Sequence, residues 1–253
     1  MPITDFNEVA DVYDEDLVKL LGKYMRGGTE KYAEYKIQLT HILLKKKYIK
    51  TILDFGCGVG RSINYLASYF PGTTLYGCDI SDDELQIAKK NYPDAQFFNN
   101  AEIESFSNMK ERFDLVFTAC VMHHIDPKER NIWVNSVLDK LTPGGYWAIF
   151  EHNLINPYTK RIVTDVDNKL DNINWMYTRK KLLALFAERK DISIYWQGYT
   201  LFSPFRFISA KQHRKSNGFS YFITKFERFL KWCPLGAQQC VIIKKQEINY
   251  EKN

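Results

Sequence analysis

An apolar stretch, Thr51-Ile52-Leu53-Asp54-Phe55, runs without a spacer into Gly56-Cys57-Gly58-Val59-Gly60, and a helical pattern follows from Arg61. Three glycines at alternate positions demand a tight strand-to-helix turn. Glycine reaches backbone angles that a β-carbon forbids and lets a ligand approach bare main chain. The helix beyond opens with N–H groups that lack an intrahelical partner. The run therefore points to an α/β arrangement with a ligand site at a strand end. Two common loops do not fit it. A dinucleotide-binding GxGxxG loop needs glycine where Arg61 stands, and a phosphate loop needs a following Gly-Lys-Ser/Thr.

The surrounding pattern supports this frame. Strand candidates fall at 51–55, 74–78, 95–99, 113–119, 146–151, 192–197 and 240–244, with helical segments at 61–69, 82–91, 127–141 and 178–188. Ser81 can cap the second of these helices, with Glu84 three residues on. Strand–helix alternation reads as a parallel sheet with helices on both faces. Three stretches interrupt it: a helical lead-in at 1–47, residues 152–177, and residues 199–236. In such sheets ligands sit beyond the carboxyl ends of the strands, so these stretches are expected to form the walls of a substrate site. We expect one domain, 1–253, built on a core at 48–151.

The run Ile52-Leu53-Asp54-Phe55-Gly56-Cys57-Gly58-Val59-Gly60 resembles motif I of class I methyltransferases that use S-adenosylmethionine (SAM). Other motifs follow in the family's order. Tyr76-Gly77-Cys78-Asp79-Ile80-Ser81 resembles the end of the second strand, where an acidic residue takes both ribose hydroxyls; a carboxylate can accept both hydrogen bonds. Phe98-Asn99-Asn100-Ala101-Glu102 resembles the adenine-edge motif, with Asn100 where Asp is common. The stretch 113–125 resembles the fourth strand with its loop, and Leu141-Thr142-Pro143-Gly144-Gly145 the turn before the fifth. Ala10-Asp11-Val12-Tyr13-Asp14 is similar to an element that covers SAM in relatives. The resemblance implies a Rossmann-like, doubly wound, seven-stranded mixed sheet with a helical lid and an insertion before the last strand. It implies SAM as cofactor, held by Tyr13, Asp54, Gly56, Cys57, Gly58, Gly60, Asp79, Ile80, Asn100, Ala101, Glu102 and Cys120, the last through its backbone.

Methyl transfer from a sulfonium needs alignment and exclusion of water, and a base only when the acceptor must lose a proton. His123 and His124 follow strand four and His152 ends strand five, so these three are the candidate bases. No metal is expected, since the histidines match no ligand spacing. The five cysteines are odd in number and form no CxxC, which fits a reduced, cytoplasmic protein. The first sixteen residues hold six acidic side chains and no Lys or Arg, the opposite of a secretory leader.

The formal net charge is +5, and residues 199–253 alone carry ten Lys or Arg against three Asp or Glu. That imbalance points to an anionic partner. Residues 199–236 hold ten aromatics, and 217–233 reads as a basic, aromatic, amphipathic helix. Such a helix suits a large apolar or phosphate-bearing acceptor, or peripheral contact with the inner membrane face. Nucleic acid is disfavoured: the loop after strand four lacks Asn/Asp-Pro-Pro-Tyr and Pro-Cys. Glu151-His152-Asn153-Leu154-Ile155-Asn156-Pro157, with Pro234-Leu235-Gly236-Ala237-Gln238, is similar to a bacterial small-molecule subgroup associated with polysaccharide and glycolipid synthesis, save for Leu154 where proline is usual. The expected function is methyl transfer to an oxygen of a small-molecule or lipid- or sugar-linked acceptor. The rivals are an RNA or protein methyltransferase and a non-catalytic SAM-binding scaffold or sensor.

Overall fold

The computed structural model describes residues 30–166, 173–200 and 233–247. Tyr13, the first part of the lead-in and the 217–232 part of the expected amphipathic helix lie outside them. The elements run α1 (Glu30–Leu44), β1 (Thr51–Phe55), α2 (Ile63–Tyr69), β2 (Thr74–Asp79), α3 (Asp82–Asn91), β3 (Gln96–Asn99), α4 (Ile103–Asn108), β4 (Phe113–Ala119), a 3-10 turn (Met122–His124), α5 (Arg130–Lys140), β5 (Leu141–His152), α6 (Pro157–Val166), a second 3-10 turn (Ile173–Trp175), α7 (Arg179–Ala184), β6 (Ile192–Thr200) and β7 (Gln238–Lys245). They form one seven-stranded sheet ordered β3-β2-β1-β4-β5-β7-β6. β7 is antiparallel to both neighbours, and the other described pairings are parallel. This is the expected mixed, doubly wound sheet.

The central strands are largely apolar because both faces are covered. Along β1 and β4 successive side chains alternate between two cores. Leu53, Val116, Trp147 and Ile149 pack on one face with Trp133 and Val137 of α5 and Leu182 of α7. Ile52, Leu115, Phe117 and Phe150 pack on the other with Ile37 and Leu44 of α1 and Ile63 and Leu66 of α2. Asp114 pins three strand starts together. Its Oδ2 accepts from the Lys50 and Thr51 N–H groups, and its Oδ1 from the Thr142 hydroxyl.

Several boundaries differ from the expectation. β5 begins at Leu141, because Leu141 pairs with Phe113 before Tyr146 pairs with Leu115, and the Thr142–Gly145 turn is carried as an irregularity inside the strand. Gly144 has φ +80 there, and a β-carbon on Gly145 would lie 2.9 Å from Thr142 O. α5 starts at Arg130 because Asp126 turns the chain first, accepting from Lys128 N–H on its side chain and Glu129 N–H on its backbone. The helices α4 and α6 were not expected. α6 is nonetheless capped by Asn156, whose Oδ1 accepts from Tyr158 and Thr159 N–H, with Pro157 at the first helical position.

Candidate functional site

The glycine run folds back over the end of β2. Gly56 and Cys57 N–H both donate to Cys78 O, at 2.8 and 2.9 Å. Gly56, Gly58 and Gly60 have φ of +75, +52 and +83, in the left-handed region open to glycine. A β-carbon on Gly56 would meet Val121 Cγ2 at 2.3 Å. The loop is therefore pressed between β2 and the turn that follows β4. Its second glycine closes on the acidic residue of β2: Gly58 N–H donates to Asp79 Oδ2 at 2.8 Å, while Ser81 N–H donates to Asp79 Oδ1 at 3.1 Å. Each carboxylate oxygen has a second lone pair, so Asp79 is oriented and still able to accept.

Three carboxyls share this end of the sheet. Asp54 is only 2% exposed, and its Oδ2 has no hydrogen-bond partner among the described residues. Burial pushes its carboxyl up to about 7, the Asp79 charge adds to this, and Lys36 and a hydrogen bond from Ser62 oppose it. Burial and the Asp79 charge likewise raise Glu84 to about 7 against Arg61. Burial also raises Asp79, held back by the N–H groups of Gly58, Ser81 and Ile80. Cys57 and Cys78 are buried thiols pushed well above their ordinary range, first by burial and then by these charges, with the Gly56 N–H opposing the shift at Cys78.

The next strand end supplies a second polar group. Asn100 N–H donates to Asp79 O, and the Asn100 side chain is buried with Oδ1 lacking a partner among the described residues. Asn99 is structural instead. Its amide donates to Ile80 O and Asp82 Oδ1, and its Oδ1 accepts from Ala101 N–H. Ile80 is a partly exposed apolar side chain beside them. Glu102 is exposed and makes no capping bond at the start of α4.

The histidines gather on the far side of the loop. Glu151 accepts from Met122 N–H on Oε1 and pairs with His123 Nδ1 through Oε2 at 2.6 Å. Burial works to raise Glu151, but the His123 charge and hydrogen bond outweigh it and hold the carboxyl below its usual range. His123 is thus a fully buried, oriented ring. The His124 ring lies 4.1 Å from it and the His152 ring 5.4 Å. All three candidate bases are brought together. Cys120 sits beside them, its N–H engaged by Phe150 O at 2.8 Å, so only its carbonyl is left to serve a ligand through the backbone. Lys36, Glu84 and Gln238 were not singled out as site residues; their types are ordinary, and only the fold brings Lys36 and Gln238 to Cys120 and Glu84 beside Gly58. Tyr13 lies outside the described residues.

Residues 52–145 match the family model of a methyltransferase domain. The match is confined to this stretch, which is similar to a methyltransferase domain. Over 135 residues the chain is 30% identical to an uncharacterized methyltransferase of Synechocystis, covering 53% of this chain and 60% of that protein. Over 121 residues it is 31% identical to thiocyanate methyltransferase 1 of Brassica oleracea, covering 44% and 53%. The chain thus spans about half the length of these curated relatives. Among solved structures, plantazolicin methyltransferase BpumL, in complex with a pentazolic desmethyl analogue and S-adenosylhomocysteine, shares the fold with a TM-score of 0.64 at 17% identity, over 95% of each chain. The cofactor of such a domain is SAM, and the residues present fit it. The oriented Asp79 suits a diol, the buried Asn100 Oδ1 an amino group, and the buried Asp54 Oδ2 an ammonium.

Proposed function

We propose that this protein transfers the methyl group of SAM to an oxygen of a small-molecule or lipid-linked acceptor bound against the ends of β4, β5 and β7. The observation that carries the reading is Asp79, clamped by the Gly58 and Ser81 N–H groups with acceptor capacity to spare beside a glycine loop built for close approach. In this reading Asp79 receives the ribose hydroxyls, Asn100 Oδ1 the adenine amino group, Ile80 packs on the base, and Ala101 and Glu102 border it. Gly56, Cys57, Gly58 and Gly60 present main chain, and Asp54 faces the methionyl ammonium. When bound, SAM supplies an electrophilic methyl on a sulfonium. Glu151 and His123 position the rim, while His124 and His152 stand where an acceptor hydroxyl loses its proton. The basic, aromatic composition of 199–236 supports an acceptor carrying phosphate or a lipid chain.

No described helix is long and apolar enough to cross a membrane. The reading is tested with labelled SAM and an extract of cells lacking the protein, followed by mass spectrometry. The expected result is a labelled small-molecule or lipid product together with S-adenosylhomocysteine. Label in the RNA or protein fraction would support a macromolecular acceptor instead, and SAM binding without any S-adenosylhomocysteine would support a scaffold.

A further inference from the structure

Among the described residues, Cys120 alone combines a side chain with a positive φ, +62. A β-carbon there costs roughly 1–2 kcal/mol, and such strain persists where the surroundings over-determine it. What it achieves here is a change of face. Along β4, Val116 and Thr118 point to the face of Trp147, whose indole N–H donates to the Thr118 hydroxyl. Alternation would send residue 120 the same way. The turned backbone instead delivers its sulfur to the opposite face, where α1, the last residue of β5 and the first of β7 converge.

Three donors meet the sulfur there. Gln238 Nε2 donates to Cys120 Sγ at 3.0 Å, and Lys36 Nζ approaches at 3.9 Å. His152 supplies both a hydrogen bond and a facing charge. Burial would raise the thiol, but His152 and Lys36 outweigh it against the opposing Glu151 charge and bring it to about 7. The facing groups are therefore Lys36 from α1, Glu151 and His152 from β5 and the uncharged Gln238 from β7, with His123 beyond His152. Gln238 is 6% exposed, and its Oε1 has no partner among the described residues. Its amide thus holds the sulfur by one atom and leaves a buried acceptor beside it by the other. Cys120 itself is only partly covered.

We propose that Cys120 and His152 form a thiolate–imidazolium pair that accepts the proton of the methyl acceptor, with Lys36 and Gln238 as positioning residues. The proposal rests on the methyltransferase reading and names the base within it. As the acceptor oxygen bonds to the methyl carbon, its O–H bond breaks and the proton goes to Cys120 Sγ. The carbon–sulfur bond of the donor breaks with its electron pair left on the donor sulfur. Loss of the new thiol proton to solvent past His152 restores the pair.

The test is alkylation of the full-length protein by iodoacetamide across pH, with Cys120 followed by peptide mass spectrometry and thiolate absorbance as a second readout. The wild type is expected to reach half its limiting rate near pH 7, with bound SAM slowing the reaction. His152→Gln should move the midpoint toward the free thiol, about 8.5, and Lys36→Met should move it the same way. Cys120→Ser should keep SAM affinity by calorimetry, yet lose at least about a hundredfold in S-adenosylhomocysteine formed with the small-molecule extract fraction. A wild-type midpoint at 8.5 or above, a midpoint unmoved by either variant, or methylation of Cys120 itself overturns the proposal. Failure to bind SAM would instead sink the methyltransferase reading, and the alkylation curve would still report on the pair.

Discussion

Gly56 is the most tightly constrained position in the loop, because both its backbone angle and its neighbour Val121 exclude a β-carbon. Gly56→Ala should destabilise the fold by about 2–4 kcal/mol, part from the left-handed φ and part from the clash. Thermal denaturation checks this, with Gly72→Ala as the comparison: its φ is +79 but nothing lies within 4 Å, so it should lose only the backbone part. Equal losses would show that Val121 yields freely. The carboxyls give a second expectation. Asp54 and Glu84 are raised to about 7 in the fold, against about 4 in an unfolded chain. The stability they contribute is complete below about pH 4 and is lost as the pH rises through 7. A cationic ligand that favours their ionised forms must release protons. SAM affinity should therefore rise between about pH 6 and 7.5, below the titration of the donor's own amine. Calorimetry in two buffers of different ionisation enthalpy measures the release; proton uptake would contradict it.

At the scale of elements, β1 and β4 and helix α3 coincide with the sequence reading, because apolar runs and the Ser81 cap are local signals. α4 is six residues, too short to show a helical period. α6 is rich in Thr and Val, whose helix propensity is modest, so packing decides it. The glycines could be read as a tight strand-to-helix turn because close backbone approach demands that residue type, while Asp79 and Asn100 are expected at the site from the resemblance. Lys36 and Gln238 were legible by neither route, since only the fold joins positions 36, 120, 152 and 238. The motifs 151–157 and 234–238, read together along the chain, are joined directly in the structure. The Asn153 amide donates to Pro234 O at 2.7 Å and Gly236 O at 2.6 Å, the Asn156 amide to Leu235 O, and the Thr159 hydroxyl to Ala237 O. They form a latch that fixes the entry to β7 against the exit from β5. Asn153→Ala leaves two carbonyls without donors and should cost about 1–3 kcal/mol. Hydrogen exchange should quicken at 234–240 while 52–55 stays protected; uniform quickening would mean that the latch is not a local device.

For the molecule as a whole, the strand order places the glycine loop at the point where connections leave β1 and β4 in opposite directions, the usual crevice for a ligand in open α/β sheets. The proposed donor groups lie at the ends of β1 to β3. The histidines, Cys120 and Gln238 lie at the ends of β4, β5 and β7. One topology thus brings a polar cradle and a titratable rim to the same edge, though they come from distant parts of the chain. The central claim is that Asp79 holds SAM at that edge. Isothermal calorimetry of SAM with the wild type and with Asp79→Ala tests it most directly. The account predicts one site per chain in the wild type and none measurable in the variant with its fold intact by circular dichroism. Unchanged affinity in a folded Asp79→Ala protein would contradict it.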